Sequence, residues 1–259
     1  MKERHPLLRE AILFLSRIMR GRNLQMSGDG RYQPEELRPF LGYDNWAAWL
    51  IIAEWFWMLA LAQVGIMPKQ DAKLLTSERL FRLLSIITTS KQDLEERKTK
   101  HDILALLNLM RKYLPKALHK WLHFCATSYD IINTAYALQI AMTYEMVFWP
   151  KLCAVDKIWR ERIMEHSHTL QTGRTHLQTA LPVTIGFWLA QLHSRFADCA
   201  RNGMFCSWQV PGKFSGAVGT YASQKAFMNS REAETVLMKM LGLPPARILW
   251  SHLSTQIKY

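Results

Sequence analysis

The 22-residue run from Trp46 to Met67 contains one charged side chain, Glu54, among aromatic and aliphatic residues. Such a run is long enough to cross a lipid bilayer as a single helix. A helix that is apolar on every side is equally typical of the buried core of a large helical protein. A carboxylate near the centre of a bilayer is costly, and Gly65 followed by Pro68 is a typical end for a helix of a soluble protein. The sequence therefore favours a buried helix over a membrane span.

The remainder of the chain is also predicted to be helical. Only 12 glycines and 10 prolines occur in 259 residues, which favours helices over a sandwich or barrel dense in turns. Leu8, Ile12, Leu15 and Met19 recur at steps of three and four residues and predict an amphipathic N-terminal helix. No alternating run is long enough for a sheet, so we predict an all-α chain with a bundle of long helices. The long segments expected to run as antiparallel neighbours are Ser128–Leu170 with a joint at Pro150, Pro182–Ser207 and Gln224–Leu241, with a loop over Gly173–Pro182.

The chain is basic, with 33 Lys and Arg against 21 Asp and Glu and a formal net charge of +12. This charge is compatible with nucleic acid, an anionic membrane surface or a small polyanionic substrate. The basic residues are spread through the helical segments and form no block of the kind that binds nucleic acid, so we expect no nucleic-acid partner. The four cysteines form no C-x-x-C pair, which predicts reduced thiols, no disulfide framework and no metal site.

Three histidines stand in short polar loops or at helix ends. These are His101, His123 and His176, and each could transfer a proton near neutral pH. The alternative for each is a histidine that caps a helix or holds a loop by hydrogen bonds. Thr127 and Ser128 open a predicted helix as N-cap residues. A helix N-terminus with hydroxyls also binds carboxylates and phosphates, so both interpretations remain open at this point.

Together these segments resemble one family. Gly173–Gln178, with Pro182 and Gly186 behind it, resembles the G-R-T-H-x-Q…P-x-T-x-G loop of the fumarase/aspartase superfamily. Within that superfamily the chain is most similar to the adenylosuccinate lyase family. The other matching segments, in the family's order, are Arg31-Tyr32 with Pro34-Glu35-Glu36 (R-Y…P-E-M), Glu54 through Pro68 (E…A…G-x-I-P), Thr99–Asp102 (T-x-H-D), His123–Asp130 (H-Y-G-x-T-S-x-D), Lys213–Thr220 (K-x-S-G-A-V-G-T) and Ser254–Gln256 (S-T-Q).

The resemblance implies a long-helix bundle of the fumarase/aspartase type with a smaller N-terminal helical domain. The implied divisions are an N-terminal amphipathic helix at residues 1–22, a helical domain at 23–127 and an incomplete bundle domain at 128–259. It also implies a cytoplasmic carbon–nitrogen lyase of purine biosynthesis that needs no cofactor. Such an enzyme eliminates fumarate from adenylosuccinate, giving AMP, and from the succinyl-carboxamide intermediate. The family forms homotetramers whose active sites collect residues from several subunits, and it involves no membrane.

Residue roles follow from the same resemblance. The reaction removes a proton next to a carboxylate and builds an enediolate-like dianion, which needs fixed hydrogen-bond donors, while the departing nitrogen needs an acid. His176 is expected to be this acid, with Thr175 positioning the substrate and His101 orienting the substrate or His176. Thr127 and Ser128 are expected to hold the succinyl carboxylates. The remaining implied contacts are Arg31 and Tyr32 on the phosphate, and His123 and Gln256 elsewhere on the substrate.

The chain also departs from the family pattern. Cys125 replaces the usual glycine, Asn133 the usual aspartate, and Thr179 and Leu181 the common proline and glutamate. Family members continue past the position of Tyr259 with a serine loop that supplies the usual base, further bundle helices and a third domain. We therefore expect a C-terminally short chain that is inactive alone. The open alternatives are another lyase or a carboxymuconate-type cycloisomerase of the superfamily, and a non-catalytic fragment or paralogue.

Overall fold

The computed structural model describes residues 4–17, 34–227 and 230–246. They form two compact units, the first within residues 1–141 and 209–259 and the second within residues 142–208. The domain boundaries expected after residues 22 and 127 stay a prediction. In chain order the elements are α1 (Pro6–Arg17), α2 (Arg38–Leu41), α3 (Trp46–Gln63), α4 (Lys69–Ala72), α5 (Ser77–Ile86), α6 (Thr89–Thr99), α7 (Asp102–Tyr113), α8 (Lys116–His119), α9 (Ser128–Thr143), α10 (Trp149–Glu165), β1 (Leu170–Thr175), β2 (Gln178–Thr184), α11 (Ile185–Gln209), α12 (Ala222–Lys225) and α13 (Ser230–Leu241).

Helix α3 is the core of the first unit. By length and hydropathy the segment Tyr43–Gln63 could cross a membrane. Its tryptophans at positions 49, 55 and 57 are nevertheless fully buried, and α3 packs against α1, α5, α6 and α13. The start of α3 lacks a side-chain cap of its own, and the hydroxyl of Thr89 accepts the N–H of Ala47 at 3.1 Å instead. The predicted buried core helix is therefore confirmed.

The predicted N-terminal amphipathic helix is present as α1. Leu8, Ile12 and Leu15 are buried against α5 and α3, as the three- and four-residue spacing requires. The fourth residue of the pattern, Met19, lies outside the described residues. Burial of this apolar face gives α1 a structural role in the first unit.

In the second unit α10 and α11 run antiparallel. The Tyr144 hydroxyl donates to the carbonyl of Ala200 at 2.9 Å, and His193 Nε2 lies 2.6 Å from Asp156 Oδ1. A π-helical turn, Tyr144–Phe148, precedes α10 at the predicted joint, where Pro150 has no N–H to continue the helical ladder. The third segment expected beside them is divided into α12 and α13, which belong to the first unit, and α13 packs against α3.

The expectation of a loop over Gly173–Pro182 and of no sheet is wrong in one place. Strands β1 and β2 pair antiparallel as a hairpin, with Thr175 opposite Gln178. Strands of six and seven residues that are mostly exposed carry no clear alternation of apolar and polar side chains, which is why the pattern missed them. One two-stranded hairpin among helices leaves the all-α class confirmed.

Candidate active site

His101 and Ser128 meet at the start of α9. His101 is the N-cap of α7, where its Nδ1 accepts the N–H of Leu104 at 3.2 Å. A neutral imidazole whose Nδ1 accepts carries its proton on Nε2. That Nε2 lies 3.3 Å from the Ser128 hydroxyl oxygen, so it donates to Ser128. The histidine thus serves as a helix cap and also faces the predicted carboxylate-binding position.

The two hydroxyls at the start of α9 have different partners. Thr127 donates its backbone N–H at 2.9 Å and its hydroxyl at 3.3 Å to Oδ2 of buried Asp130. The Thr127 hydroxyl hydrogen is therefore directed to the protein's own carboxylate. Ser128 accepts from His101, which leaves the hydroxyl hydrogen of Ser128 available to an anion at a helix N-terminus. Of the predicted pair, Ser128 has the geometry of a substrate donor.

Asp130 also fixes the glycine-containing loop at 213–220. Its Oδ1 accepts hydrogen bonds from Lys213 Nζ at 2.7 Å and from the backbone N–H groups of Ser215 and Gly216, both at 3.1 Å. Lys213 Nζ also donates to the carbonyl of Gly216 at 2.6 Å. Because both partners of Lys213 lie within the protein interior, its ammonium group holds the loop to α9 and is not directed to a substrate.

A second buried carboxylate, Glu234 of α13, also holds this loop. It accepts the N–H of Phe214 at 2.8 Å and the hydroxyl of Tyr221. Burial raises the pKa of Glu234, and the nearby charge of Asp130 raises it further against the opposing effect of these hydrogen bonds. Burial and Glu234 together raise the pKa of the Tyr221 hydroxyl well above its usual range. Both ends of the loop are thus anchored by interior hydrogen bonds.

His123 is paired with Glu54 of α3. Glu54 is completely buried, and its Oε2 accepts the backbone N–H of His123 at 3.1 Å. Its Oε1 lies 2.6 Å from His123 Nδ1. Burial lowers the pKa of His123, but the hydrogen bond and the charge of Glu54 outweigh burial, so the net pKa is raised. The sequence had no site role for Glu54, although a lone carboxylate in an apolar run was the signal that could have found it.

His176 lies at the tip of the hairpin and is exposed, as is Thr175 beside it. The turn residues His176 and Leu177 both have left-handed backbone, with φ of 51° and 63°. Two-residue hairpin turns of this kind ordinarily contain Asn-Gly or Asp-Gly, so the expected acid occupies an unusual conformation. His176 and Thr175 belong to the second unit, whereas the other described site residues belong to the first.

Three predicted contacts, Arg31, Tyr32 and Gln256, lie outside the described residues. Within residues 4–17, 34–227 and 230–246, no group of three or more His, Cys, Asp or Glu side chains is arranged to hold a metal ion.

Comparison with known proteins assigns the chain to a family. The family model described as Lyase matches residues 54–248. The chain belongs to this lyase family. Adenylosuccinate lyase from Archaeoglobus fulgidus is 32% identical over 225 residues, which cover 85% of this chain and 47% of the relative. The predicted resemblance and the lyase family are therefore confirmed.

Solved structures agree with the family. A fumarate lyase from Mesorhizobium sp. BNC1 superposes with a TM-score of 0.68 at 26% identity, covering 83% of this chain and 50% of the other. The 3-carboxy-cis,cis-muconate lactonizing enzyme from Pseudomonas putida gives a TM-score of 0.66 at 19% identity, covering 83% and 48%, which shows a shared fold alone. The chain spans about half the length of the curated relatives it matches.

One departure of this chain from the family pattern has a structural meaning. Cys125, where the resemblance leads us to expect glycine, has left-handed backbone with φ of 53°. Glycine adopts this conformation without a steric penalty, whereas a residue with a Cβ does not. Cys125 therefore holds a backbone conformation that glycine would adopt without strain.

Proposed function

We propose that this chain is part of a cytoplasmic carbon–nitrogen lyase of the adenylosuccinate lyase type. The enzyme eliminates fumarate from adenylosuccinate, leaving AMP, and from the succinyl-carboxamide intermediate of purine biosynthesis, without a cofactor. The observation that carries the proposal is the 3.3 Å contact between His101 Nε2 and the Ser128 hydroxyl at the start of α9. The similarity to adenylosuccinate lyases over 85% of this chain supports the choice of substrate.

The proposed role of the α9 terminus is to bind the succinyl carboxylates. Abstraction of a proton beside a carboxylate places additional negative charge on that group in the transition state. The Ser128 hydroxyl and the positive end of the helix dipole stabilise such charge. Thr127 supports the terminus through Asp130, and His101 orients the Ser128 hydroxyl toward the substrate.

The proposed acid is His176, which protonates the departing nitrogen, with Thr175 positioning the substrate beside it. Arg31 and Tyr32 bind the phosphate, and His123 and Gln256 make further substrate contacts. The site is completed by other copies of the chain in a homotetramer and by a base from the serine loop of the longer relatives. These residue roles are proposed from the resemblance to the family.

Complementation tests this proposal. The purified 259-residue chain alone is expected to cleave no adenylosuccinate in an absorbance assay, because the base of this reaction is proposed to come from the serine loop of the longer relatives. One acid–base group contributes about 10²–10⁴-fold to the rate. Mixing it with a full-length relative whose G-R-T-H histidine is substituted should restore cleavage, since His176 then acts in trans. The matched control is the same mixture made with His176→Ala. Robust activity of the chain alone, or rescue by the control, would contradict the assignment.

The shared fold with the lactonizing enzyme supports a cycloisomerase as the second candidate. The same mixtures assayed with carboxymuconate distinguish the two reactions, because lactone formation without fumarate release identifies the cycloisomerase. A chain that restores neither reaction and binds no AMP is the non-catalytic alternative.

A further inference from the structure

The strongest unassigned feature is the buried carboxylate of Glu54. It is the single charged residue of α3, and its side chain has no exposed surface. A carboxylate removed from water needs partners for its oxygens, because an unpaired buried charge is strongly destabilising. The partners that Glu54 uses therefore indicate what it is for.

Both oxygens of Glu54 bind one residue, His123. The backbone N–H of His123 donates to Oε2 at 3.1 Å, and the ring Nδ1 lies 2.6 Å from Oε1. This double contact holds the backbone of His123 in its left-handed conformation, with φ of 59°, and fixes the plane of the ring. An ionised carboxylate only accepts, so the proton between these groups sits on Nδ1.

We propose that Glu54 is a positioning residue that holds His123 with Nδ1 protonated and presents the opposite ring edge, Nε2, to an anionic group of the substrate. The proposal rests on the proposed function for the identity of that anion, a phosphate or a carboxylate. Within the described residues His123 Nε2 has no hydrogen-bond partner, and the side chain is one-fifth exposed. The ring therefore has one edge fixed by the protein and one edge available.

The surrounding charges favour a cationic ring. Burial opposes protonation of His123, while Glu54 favours it and outweighs burial. Asp130 of α9 adds a smaller favourable effect, and Arg111 of α7 acts in the opposite direction. A protonated ring donates from both nitrogens, so Nε2 is then an N–H donor with positive charge, which is what an anion requires.

A purely structural role explains this pair poorly. Well-packed apolar residues usually stabilise a core as well as a buried ion pair does, so an ion pair inside an apolar helix is weak evidence for stability. Asp71, another buried carboxylate of the first unit, offers a contrast. It accepts a hydrogen bond from Trp121 Nε1 at 2.8 Å and pairs with Lys120 at 3.0 Å, and among the described residues no histidine bonds to it. It is therefore the matched control.

Nitrogen NMR of the histidine rings in the full chain tests the pairing directly. In the wild-type protein the neutral ring of His123 should carry its proton on Nδ1. Glu54→Gln should lower the proton affinity of His123 by about ten-fold to a thousand-fold, the usual effect of losing an adjacent opposite charge. Asp71→Asn should leave it unchanged. A wild-type neutral ring protonated on Nε2, or an unchanged proton affinity in Glu54→Gln, overturns the proposal.

Two features keep the test decisive. The wild-type proton position needs no variant, so it decides the pairing even if Glu54→Gln fails to fold. The protein is also titrated with AMP and, separately, with fumarate. The ligand whose anionic group contacts His123 should shift the Nε2 signal of that ring, and the shift should be smaller in Glu54→Gln. No shift with either ligand overturns the anion-holding role. Because these readouts need no turnover, failed complementation would reject the proposed function while leaving the Glu54–His123 result standing.

Discussion

Lys213 Nζ and Asp130 Oδ1 lie 2.7 Å apart in the interior of the first unit, with 6% and 0% of the two side chains exposed. This ion pair joins residues 83 positions apart and connects the start of α9 to the loop that follows α11. Because Thr127 also donates to Asp130, the position of the proposed carboxylate-binding terminus depends on a lysine whose ammonium group is directed into the protein interior.

Lys213→Met should strongly destabilise the protein. It leaves the buried Asp130 carboxylate without its counter-charge, which typically costs about 3–5 kcal/mol in the free energy of unfolding. The matched control is Lys98→Met, because Lys98 pairs with Glu95 on the surface and is 76% exposed. Such pairs contribute about 1 kcal/mol or less. Urea unfolding measures both, and equal losses in the two variants would contradict the assigned role.

Cys125→Gly should stabilise the protein by about 0.5–1 kcal/mol. The left-handed backbone costs a residue with a Cβ roughly 1–2 kcal/mol, and the greater freedom of glycine in the unfolded chain offsets part of the gain. Cys153→Gly is the control, since Cys153 is exposed inside α10 and the same change should cost about 1 kcal/mol there. Destabilisation by Cys125→Gly would show that side-chain packing outweighs backbone strain at this position. Thermal unfolding measures the stability change of each variant, with the other three cysteines left intact.

The Glu54–His123 pair should make stability depend on pH in one direction. The folded-state pKa of His123 is raised, so the folded protein binds the proton more tightly than the unfolded chain. The resulting stabilisation is fully present below the unfolded pKa and is lost as pH rises through the folded pKa. The difference in unfolding free energy between wild type and His123→Gln should therefore be largest near pH 5 and shrink as pH rises above the usual histidine pKa of about 6.5.

Asp71→Asn provides the comparison for this experiment. Hydrogen bonds from Trp121 and Lys120 lower the pKa of Asp71, so its contribution is lost only as pH falls through the folded pKa, below the range tested. The stability difference for this variant should stay flat across the range. A flat difference for His123→Gln as well would contradict the raised pKa.

The second unit should mediate self-association. Phe205 of α11 and Phe187 near its start are 62% and 56% exposed, and Ile158 and Met164 of α10 are exposed as well. Several exposed large apolar side chains on two neighbouring helices are typical of a protein interface, whereas a single one such as Leu94 is not. Phe205→Asp should shift sedimentation velocity profiles toward smaller species. Leu94→Asp is the control, because Leu94 is 56% exposed on α6 of the first unit. A wild-type monomer, or equal shifts for both variants, would contradict a homo-oligomer built through this surface.

Helix positions could be predicted because they follow from local patterns. Helix α3 occupies Trp46–Gln63, inside the apolar run from Trp46 to Met67 and just before Gly65, because the apolar run and the glycine behind it are local signals. The hairpin at Leu170–Thr184 was missed because its strands are short, exposed and joined by a turn without glycine.

The site could be predicted only one residue at a time. Each histidine was identified from its polar surroundings, and the His101 cap follows from its place before α7. The pairing of Glu54 with His123 spans 69 positions and depends on how α3 packs, which no local pattern encodes. The resemblance supplied the roles, and the tertiary contacts added the positioning carboxylates Glu54 and Asp130.

The packing of α13 on α3 has a consequence during synthesis on the ribosome, because α3 is made long before the helix that packs against it. Ser230, where α13 begins, follows the end of α3 by more than 160 residues. At about 5–20 residues per second, roughly ten to thirty seconds separate the emergence of the two helices. During that interval the face of α3 that later packs against α13 is exposed, and α3 is the most apolar of the described helices. Nascent chains stalled before Ser230 should therefore recruit chaperones that recognise apolar segments, and chains released beyond Leu241 should not.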